Sequence, residues 1–347
     1  MSTSATVRVQ SAEAIAAQAA HTAPFVQWPE ATTVFAERAM RLRQLAKDHP
    51  MADFLNFAAQ MAQAQQTLLQ SFAAVPLPDA AALDKAALAG LPPLGVATWQ
   101  RDPAWRTALR QLVQSLQAQS GGTDALQQTL AQLAAADDDT LERQADALLL
   151  GEMHRVNMAW SSLVAAALQV YWTHLLVALP KALGLGANQS VIGRVDDLTR
   201  CPCCGSLPVA SLTQTVGHLP GQRYLHCSLC NLQWHMVRSR CTHCLSTRDI
   251  SFQSLAHQDA DEAEAARAAV QAETCGDCGH YLKIIHKDLD AFVEPVADDL
   301  ASLTLDLLVA EAGLQRHGVN LWLLFGESDE PEPPPEPLAA PPKPGAH

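Results

Sequence analysis

The sequence predicts an α+β protein: an N-terminal all-α helical domain, then two small four-cysteine modules of the zinc-ribbon type, then a C-terminal helix packing on the modules. Three observations predict it. Apolar residues recur at helical spacing from Phe35 to Leu179. All nine cysteines fall between Cys201 and Cys278, eight of them as four Cys-x-x-Cys pairs. The stretches around those pairs are rich in Val, Leu and Thr and punctuated by Gly and Pro, as β-hairpins are.

Phe35, Ala39, Leu42 and Ala46 share one helical face before Pro50 closes the segment, and a second helix from Asp53 carries Phe54, Ala58, Met61 and Leu68 with glutamines opposite. Residues 76–101 read as a loop with at most a short helix, because Pro92, Pro93 and Gly95 break any period. Asp102-Pro103 starts the next helix, with Trp105, Leu109, Leu112 and Leu116 on its buried face. Gly121-Gly122 stops it. Asp124 opens another, buried through Leu126, Leu130 and Leu133, and Asp137-Asp138-Asp139 marks the break before a further helix near Thr140. Met158–Leu179 carries no charge apart from a protonated His174, so a membrane span has to be weighed. Ser161, Ser162, Gln169, Thr173 and His174 punctuate the run and no aromatic belt or basic flank frames it, which makes it the buried central helix of a bundle, ended by Pro180 and Gly184. Tyr171 and His174 are then core groups.

Two residues between thiolates let one tight turn aim both sulfurs at one ion, so eight thiolates make two tetrahedral sites, hence two metal ions per chain. The gaps between the pairs are 22, 10 and 30 residues. The long gaps each hold a hairpin and the short one is a connector, which groups Cys201, Cys204, Cys227 and Cys230 as one site and Cys241, Cys244, Cys275 and Cys278 as the other. Gly205, Asn231 and Gly279 follow their pairs and tolerate a left-handed backbone that turns amides towards sulfur; Leu245 departs from that pattern. Cys203 is the odd thiol, a spare or a substitute ligand. His226, His235, His243 and His280 adjoin the pairs and read as neighbours of the sulfurs, with ligation as the alternative. A disulfide framework is disfavoured by the absence of a secretion signal, and a thioredoxin-like pair by there being four such pairs outside any βαβ pattern.

In the first module Pro208–Val216 and Arg223–His226 form a hairpin about Gly217–Gly221. In the second, Ile250–Leu255 and Tyr281–His286 are strands and 261–273 an inserted helix or loop. Pro295 starts a last helix with Leu300, Leu303, Leu307 and Leu314 inward and Asp298 and Asp299 at its positive end. The chain is therefore divided into a flexible lead (1–24), a helical domain (25–195), modules at 196–237 and 238–290, a C-terminal helix region (291–326) and a disordered Pro-rich tail (327–347).

The chain has 347 residues, 48% of them hydrophobic and 17% charged, which suits a folded protein of several domains. Thirty-six acids against 23 bases, a formal charge of −13, disfavour nucleic acid as partner. Arg223, Arg238, Arg240 and Arg248 nevertheless lie in a segment without acids and are expected to form a basic face for an acidic protein partner; the junction between the modules and the central helix is a second candidate surface. Met1–Pro24 has neither a signal sequence nor a twin-arginine leader, so a cytoplasmic location is expected. No P-loop, dinucleotide fingerprint or Ser/His/Asp arrangement makes a case for an enzyme.

The run Arg200-Cys-Pro-Cys-Cys-Gly-Ser, then Arg223-Tyr-Leu-His-Cys-Ser-Leu-Cys, Trp234-His, Arg240-Cys-Thr-His-Cys, Glu273-Thr-Cys-Gly-Asp-Cys-Gly-His-Tyr-Leu-Lys, Val296-Ala-Asp-Asp-Leu and Gly318-Val-Asn resembles the FdhE family of formate dehydrogenase accessory proteins over about residues 25–326. Cys203 stands at the variable position of the usual first motif. The resemblance implies a non-catalytic maturation factor that engages the catalytic subunit of respiratory formate dehydrogenase before twin-arginine export, with rubredoxin-like modules holding iron in preference to zinc. Spacing by itself is neutral between the two metals. A zinc-ribbon nucleic-acid binder and a rubredoxin-like electron carrier are the competing functions, and a homodimer is left open.

Overall fold

The computed structural model describes residues 23–119, 122–184, 192–193, 195–217, 219–255 and 267–324. The expected lead, the tail and the front of the 261–273 stretch lie outside these residues, apart from the last two positions of the lead.

The helical region opens with α1 (Val34–Leu45) and α2 (Ala52–Gln70). Phe35, Ala39 and Leu42 are buried as their spacing requires. The glutamines of α2 are not all on a wet face, because Gln65 and Gln66 are buried. Thr33 gives α1 no side-chain cap. Instead Gln66 Oε1 accepts from the N–H groups of Phe35 (3.0 Å) and Ala36 (3.1 Å), so the neighbouring helix satisfies the first turn.

Asp79, Thr123 and Asp137 cap α3 (Ala80–Leu88), α5 (Asp124–Ala135) and α6 (Asp138–Leu150), each through a side-chain oxygen. The cap of α5 is Thr123, directly before Asp124, which opens the helix as expected. Before α4 (Ala104–Gln117), Asp102 accepts from the N–H of Ala104. Asp138 pairs with Arg110 and Arg106.

The central helix α7 (Met158–Ala182) is covered on nearly all sides, with 78% of its most apolar window buried inside the fold. It is the core of the bundle and not a membrane span. It runs two residues past Pro180, which contributes no N–H to the helix. Tyr171 is fully buried, its hydroxyl accepting from Trp99 Nε1 and the Asp102 amide, both at 3.0 Å.

One sheet follows. Its strands are β1 (Val26–Gln27), β2 (Pro208–Val216), β3 (Leu219–Cys227), β4 (Gln233–His235), β5 (Ile250–Gln253), β6 (Val270–Cys275), β7 (His280–His286) and β8 (Gln315–Arg316). The order is β1-β4-β3-β2-β7-β6-β5, with β8 also on β7. The hairpins of the two cysteine modules are fused by a parallel pairing of β2 with β7, Leu212 opposite Ile285. The back of the 261–273 stretch is strand β6, where a helix or loop was expected.

The single C-terminal helix of the sequence reading is two, α8 (Pro295–Ala301) and α9 (Leu303–Glu311), broken at Ser302. The break resets the helical phase, so Leu305 and Val309 turn inward while Leu307 is 55% exposed. Asp298 and Asp299 are not exposed dipole partners either. Asp298 is buried against Arg41 (2.6 Å), and Asp299 lies against Lys283 (3.3 Å) and Arg316 (2.8 Å) with Asn320 donating to it. Burial pushes the Asp298 carboxyl up despite Arg41. Burial pushes Asp299 up as well, but Arg316 and Lys283 outweigh it and hold this carboxyl below the ordinary 3.8.

A depressed carboxyl contributes stability that is present above its unfolded value and is lost as pH falls through its folded value. Asp299→Asn should therefore cost about 3 kcal/mol at pH 7, where it leaves the buried Lys283 and the half-buried Arg316 short of a partner. Urea unfolding of the two proteins at a series of pH values should show that gap narrowing as pH falls below 3.8; a gap independent of pH would contradict the assignment.

Candidate metal centres

Three of the four Cys-x-x-Cys turns share one backbone hydrogen bond. The amide after the second cysteine returns to the carbonyl of the first, from Gly205 to Cys201 (2.8 Å), Leu245 to Cys241 (3.1 Å) and Gly279 to Cys275 (2.9 Å). The residue there is left-handed in all four turns, with φ of 76° at Gly205, 61° at Asn231, 61° at Leu245 and 68° at Gly279. Leu245 thus takes the conformation its side chain disfavours, at a cost of about 1 kcal/mol, and packs that side chain against the core.

The turns meet in two clusters, Cys201/Cys204/Cys227/Cys230 and Cys241/Cys244/Cys275/Cys278, with all sulfurs of a cluster within 4.8 Å of one another. Four sulfurs about 2.3 Å from a central ion form a tetrahedron with edges of about 3.8 Å. Sulfur–sulfur distances are 3.6 Å (Cys201–Cys230) and 3.4 Å (Cys204–Cys227) in the first cluster, and 3.7 Å (Cys241–Cys278) and 3.8 Å (Cys244–Cys275) in the second. Both clusters have the donor set and size for one tetrahedral ion.

Backbone amides aim at sulfur as well. Leu229 and Cys230 donate to Cys227 Sγ at 3.4 Å, and His243 and Cys244 to Cys241 Sγ at 3.4 and 3.5 Å. Crowding four thiols divides their protons unevenly. Burial pushes Cys201 and Cys230 well up, whereas at Cys204 hydrogen bonds from Cys201, Cys227 and Cys230 overcome burial and hold the thiol well down. An ion with charge 2+ would replace these protons. Cys203 is buried but outside the four-sulfur group. The loop before α4 clamps this turn, Leu94 and Val96 donating to the carbonyls of Cys203 (2.9 Å) and Cys204 (3.0 Å).

The clusters differ in surroundings. All four sulfurs of the first are enclosed, and its turns are tied to helices: Gln169 of α7 donates to the Ser228 carbonyl (2.7 Å), and Asn231 donates to Thr173 (2.8 Å) and accepts from Arg38 of α1 (2.7 Å). The second is at the surface, with Cys244 exposed and Cys278 half-buried. His226 beside the first cluster is buried, and burial drives it down to about 4, so it is neutral. His243 and His280 stand beside the second.

The expected basic face changes composition. Arg223 is buried, paired with Glu273 at 2.9 Å, and does not belong to a surface. Burial lowers the Arg223 pKa and raises that of Glu273, each against the pull of the other. Arg238 and Arg248 are exposed and Arg240 is half-buried, its Nε donating to the Leu245 carbonyl. At the junction of the first module with α7, Gln169 and Thr173 contact Ser228 and Asn231. A cavity of about 660 Å³ lies beside the Arg223–Glu273 pair, with Arg238 at its edge and Phe252 and Leu289 among its apolar walls. The sequence did not reveal this cavity, since its lining comes from five strands and two turns.

Comparison with known proteins agrees with the geometry. Family profiles described as FdhE N-terminal, FdhE central domain and FdhE C-terminal domain match residues 23–184, 200–238 and 239–323. The chain belongs to the FdhE family. Relatives include an FdhE homologue of Pectobacterium carotovorum, 39% identical over 85% of this chain and 89% of its own, and FdhE of Salmonella dublin, 36% identical over 88% and 93%. The crystal structure of the FdhE protein from Pseudomonas aeruginosa superposes with a TM-score of 0.74 at 35% identity, covering 87% of this chain and all of that one. The chain is thus a formate dehydrogenase accessory protein over most of its length.

Replacing Cys227 and Cys230 together by serine should remove one ion and leave the other, as read by metal analysis. With unmodified protein, a chelator should strip the exposed cluster rapidly and reach the enclosed one only at the rate of unfolding; loss of both ions in a single phase would contradict the difference in burial.

Proposed function

We propose that this protein is a cytoplasmic maturation factor that binds the catalytic subunit of a respiratory formate dehydrogenase before export. The observation that carries this reading is the family match over residues 23–184 and 200–323 together with the two four-sulfur clusters inside the matched central and C-terminal domains. The enclosed cluster is a structural ion that fixes the helices to the sheet. The exposed cluster meets the client or responds to its redox state.

Each cluster holds iron. Tetrahedral thiolates with amide N–H···S contacts suit iron and zinc alike, and the family resemblance tips the choice to iron. Freshly purified protein should be red with about two irons per chain, and its thiolate-to-ferric absorption should bleach on reduction. Colourless protein with stoichiometric zinc, from cells not supplemented with zinc, would overturn both the iron assignment and the redox role.

The client surface is Arg238, Arg240 and Arg248 with the exposed Val237 and Phe252 beside them. A local basic face on a chain of charge −13 selects an acidic patch on a protein while the whole molecule repels nucleic acid. The wild-type chain should capture the catalytic subunit in a pull-down, and Arg238→Ala/Arg240→Ala should weaken capture about tenfold or more. No capture by the wild type sinks the function, and undiminished capture by the variant sinks this choice of surface.

A further inference from the structure

The exposed cluster has a second set of ligands at its lip. His243 sits between Cys241 and Cys244, and His280 two residues after Cys278. One nitrogen of each imidazole and the Cys278 sulfur all lie within 4.8 Å of one another. The two rings are stacked at 3.6 Å with an angle of 8° between their planes. The Nδ1 of His280 is 2.9 Å from the Cys278 carbonyl, an acceptor, so Nδ1 carries the proton and Nε2 keeps the lone pair a metal needs. His317 stands edge-on to His243 at 5.2 Å; it is 8% exposed, and its Nε2 has no hydrogen-bond partner among the described residues. Three imidazoles have thus gathered at the open side of a thiolate cluster, whereas at the enclosed cluster His226 is engaged with Asn231.

We propose that His243, His280 and Cys278 form a capture site for a divalent transition-metal ion, from which the ion passes into the four-cysteine cluster. The inference rests on the reading of that cluster as a metal site. Imidazole exchanges ligands readily and suits Zn, Fe, Co and Ni, so an aquo ion arriving at the exposed His243 finds nitrogen donors before it meets thiols. Cys278 releases its thiol proton to water as the ion is captured; it is common to both sets and needs no exchange. As Cys241, Cys244 and Cys275 bond to the ion, each thiol releases its proton to water, and the two imidazoles leave the ion as they arrive. The ion keeps its charge and oxidation state throughout.

The test uses the reduced, metal-free full chain and cobalt(II), whose thiolate absorption reports each cluster as it fills. A Cys241→Ser/Cys244→Ser variant identifies the phase belonging to the exposed cluster. His243→Ala/His280→Ala should reach the same final four-sulfur spectrum, with that phase slowed about tenfold and the phase of the enclosed cluster unchanged as a folding control. A second chain, Cys244→Ser/Cys275→Ser, has no four-sulfur site here but keeps Cys278; it should still hold one cobalt beyond the enclosed cluster, and lose it when His243 and His280 are also replaced by alanine. Equal filling rates, or a cobalt that survives loss of both histidines, overturn the capture site while leaving the cluster intact. A wild-type chain that never develops the exposed cluster's spectrum overturns the metal reading and the capture site with it.

Discussion

Arg38 is the residue on which the union of the two regions depends. Its guanidinium is fully buried between the rings of Phe35 and Trp322, donates to Glu294 (3.0 Å) and to Asn231 (2.7 Å), and so touches the first helix, the C-terminal segment and a metal turn at once. A buried cation requires partners, and each partner has a second task. Glu294 caps α8 through Ala297, and Asn231 supplies the left-handed residue of its turn while donating to Thr173 of the central helix. The enclosed cluster is consequently part of the core and not an appended finger.

The two clusters start from the same local chemistry and end in different environments because of what packs on them. In the first module α7 lies over the turns and contributes Gln169 and Thr173, and Trp322 adds its indole to the Gln169 oxygen (2.9 Å). The second module joins the sheet at β7 and extends it outward to the edge strand β5, away from the bundle. Position in the sheet, and not the identity of the cysteines, makes one cluster enclosed and the other exposed.

Much of this was legible in the sequence. Cysteine spacing is a local property of a tight turn, so the two four-cysteine groups and their membership could be read from gaps alone. The central helix was legible too, because a run apolar on all sides has to be covered. Charged residues were harder. Arg223 read as surface, and Asp298 and Asp299 as helix-dipole partners, since a charge in sequence carries no sign of the opposite charge that will bury it; Glu273 is 50 residues from Arg223, and Lys283 and Arg316 reach Asp299 from strands β7 and β8.

What the sequence by itself determined is therefore whatever depends on neighbours a few residues apart: the bundle helices, the hairpins, the two four-cysteine groups and the family motifs. Tertiary structure alone decided the parallel pairing of β2 with β7, the break at Ser302, the burial of Gln65, Gln66 and Arg223, and the exposure of one cluster but not the other. The physical reason is range. A turn or a helical face is fixed by contacts along the chain, whereas the cost of burying a polar or charged group is met only by partners that folding brings from far away.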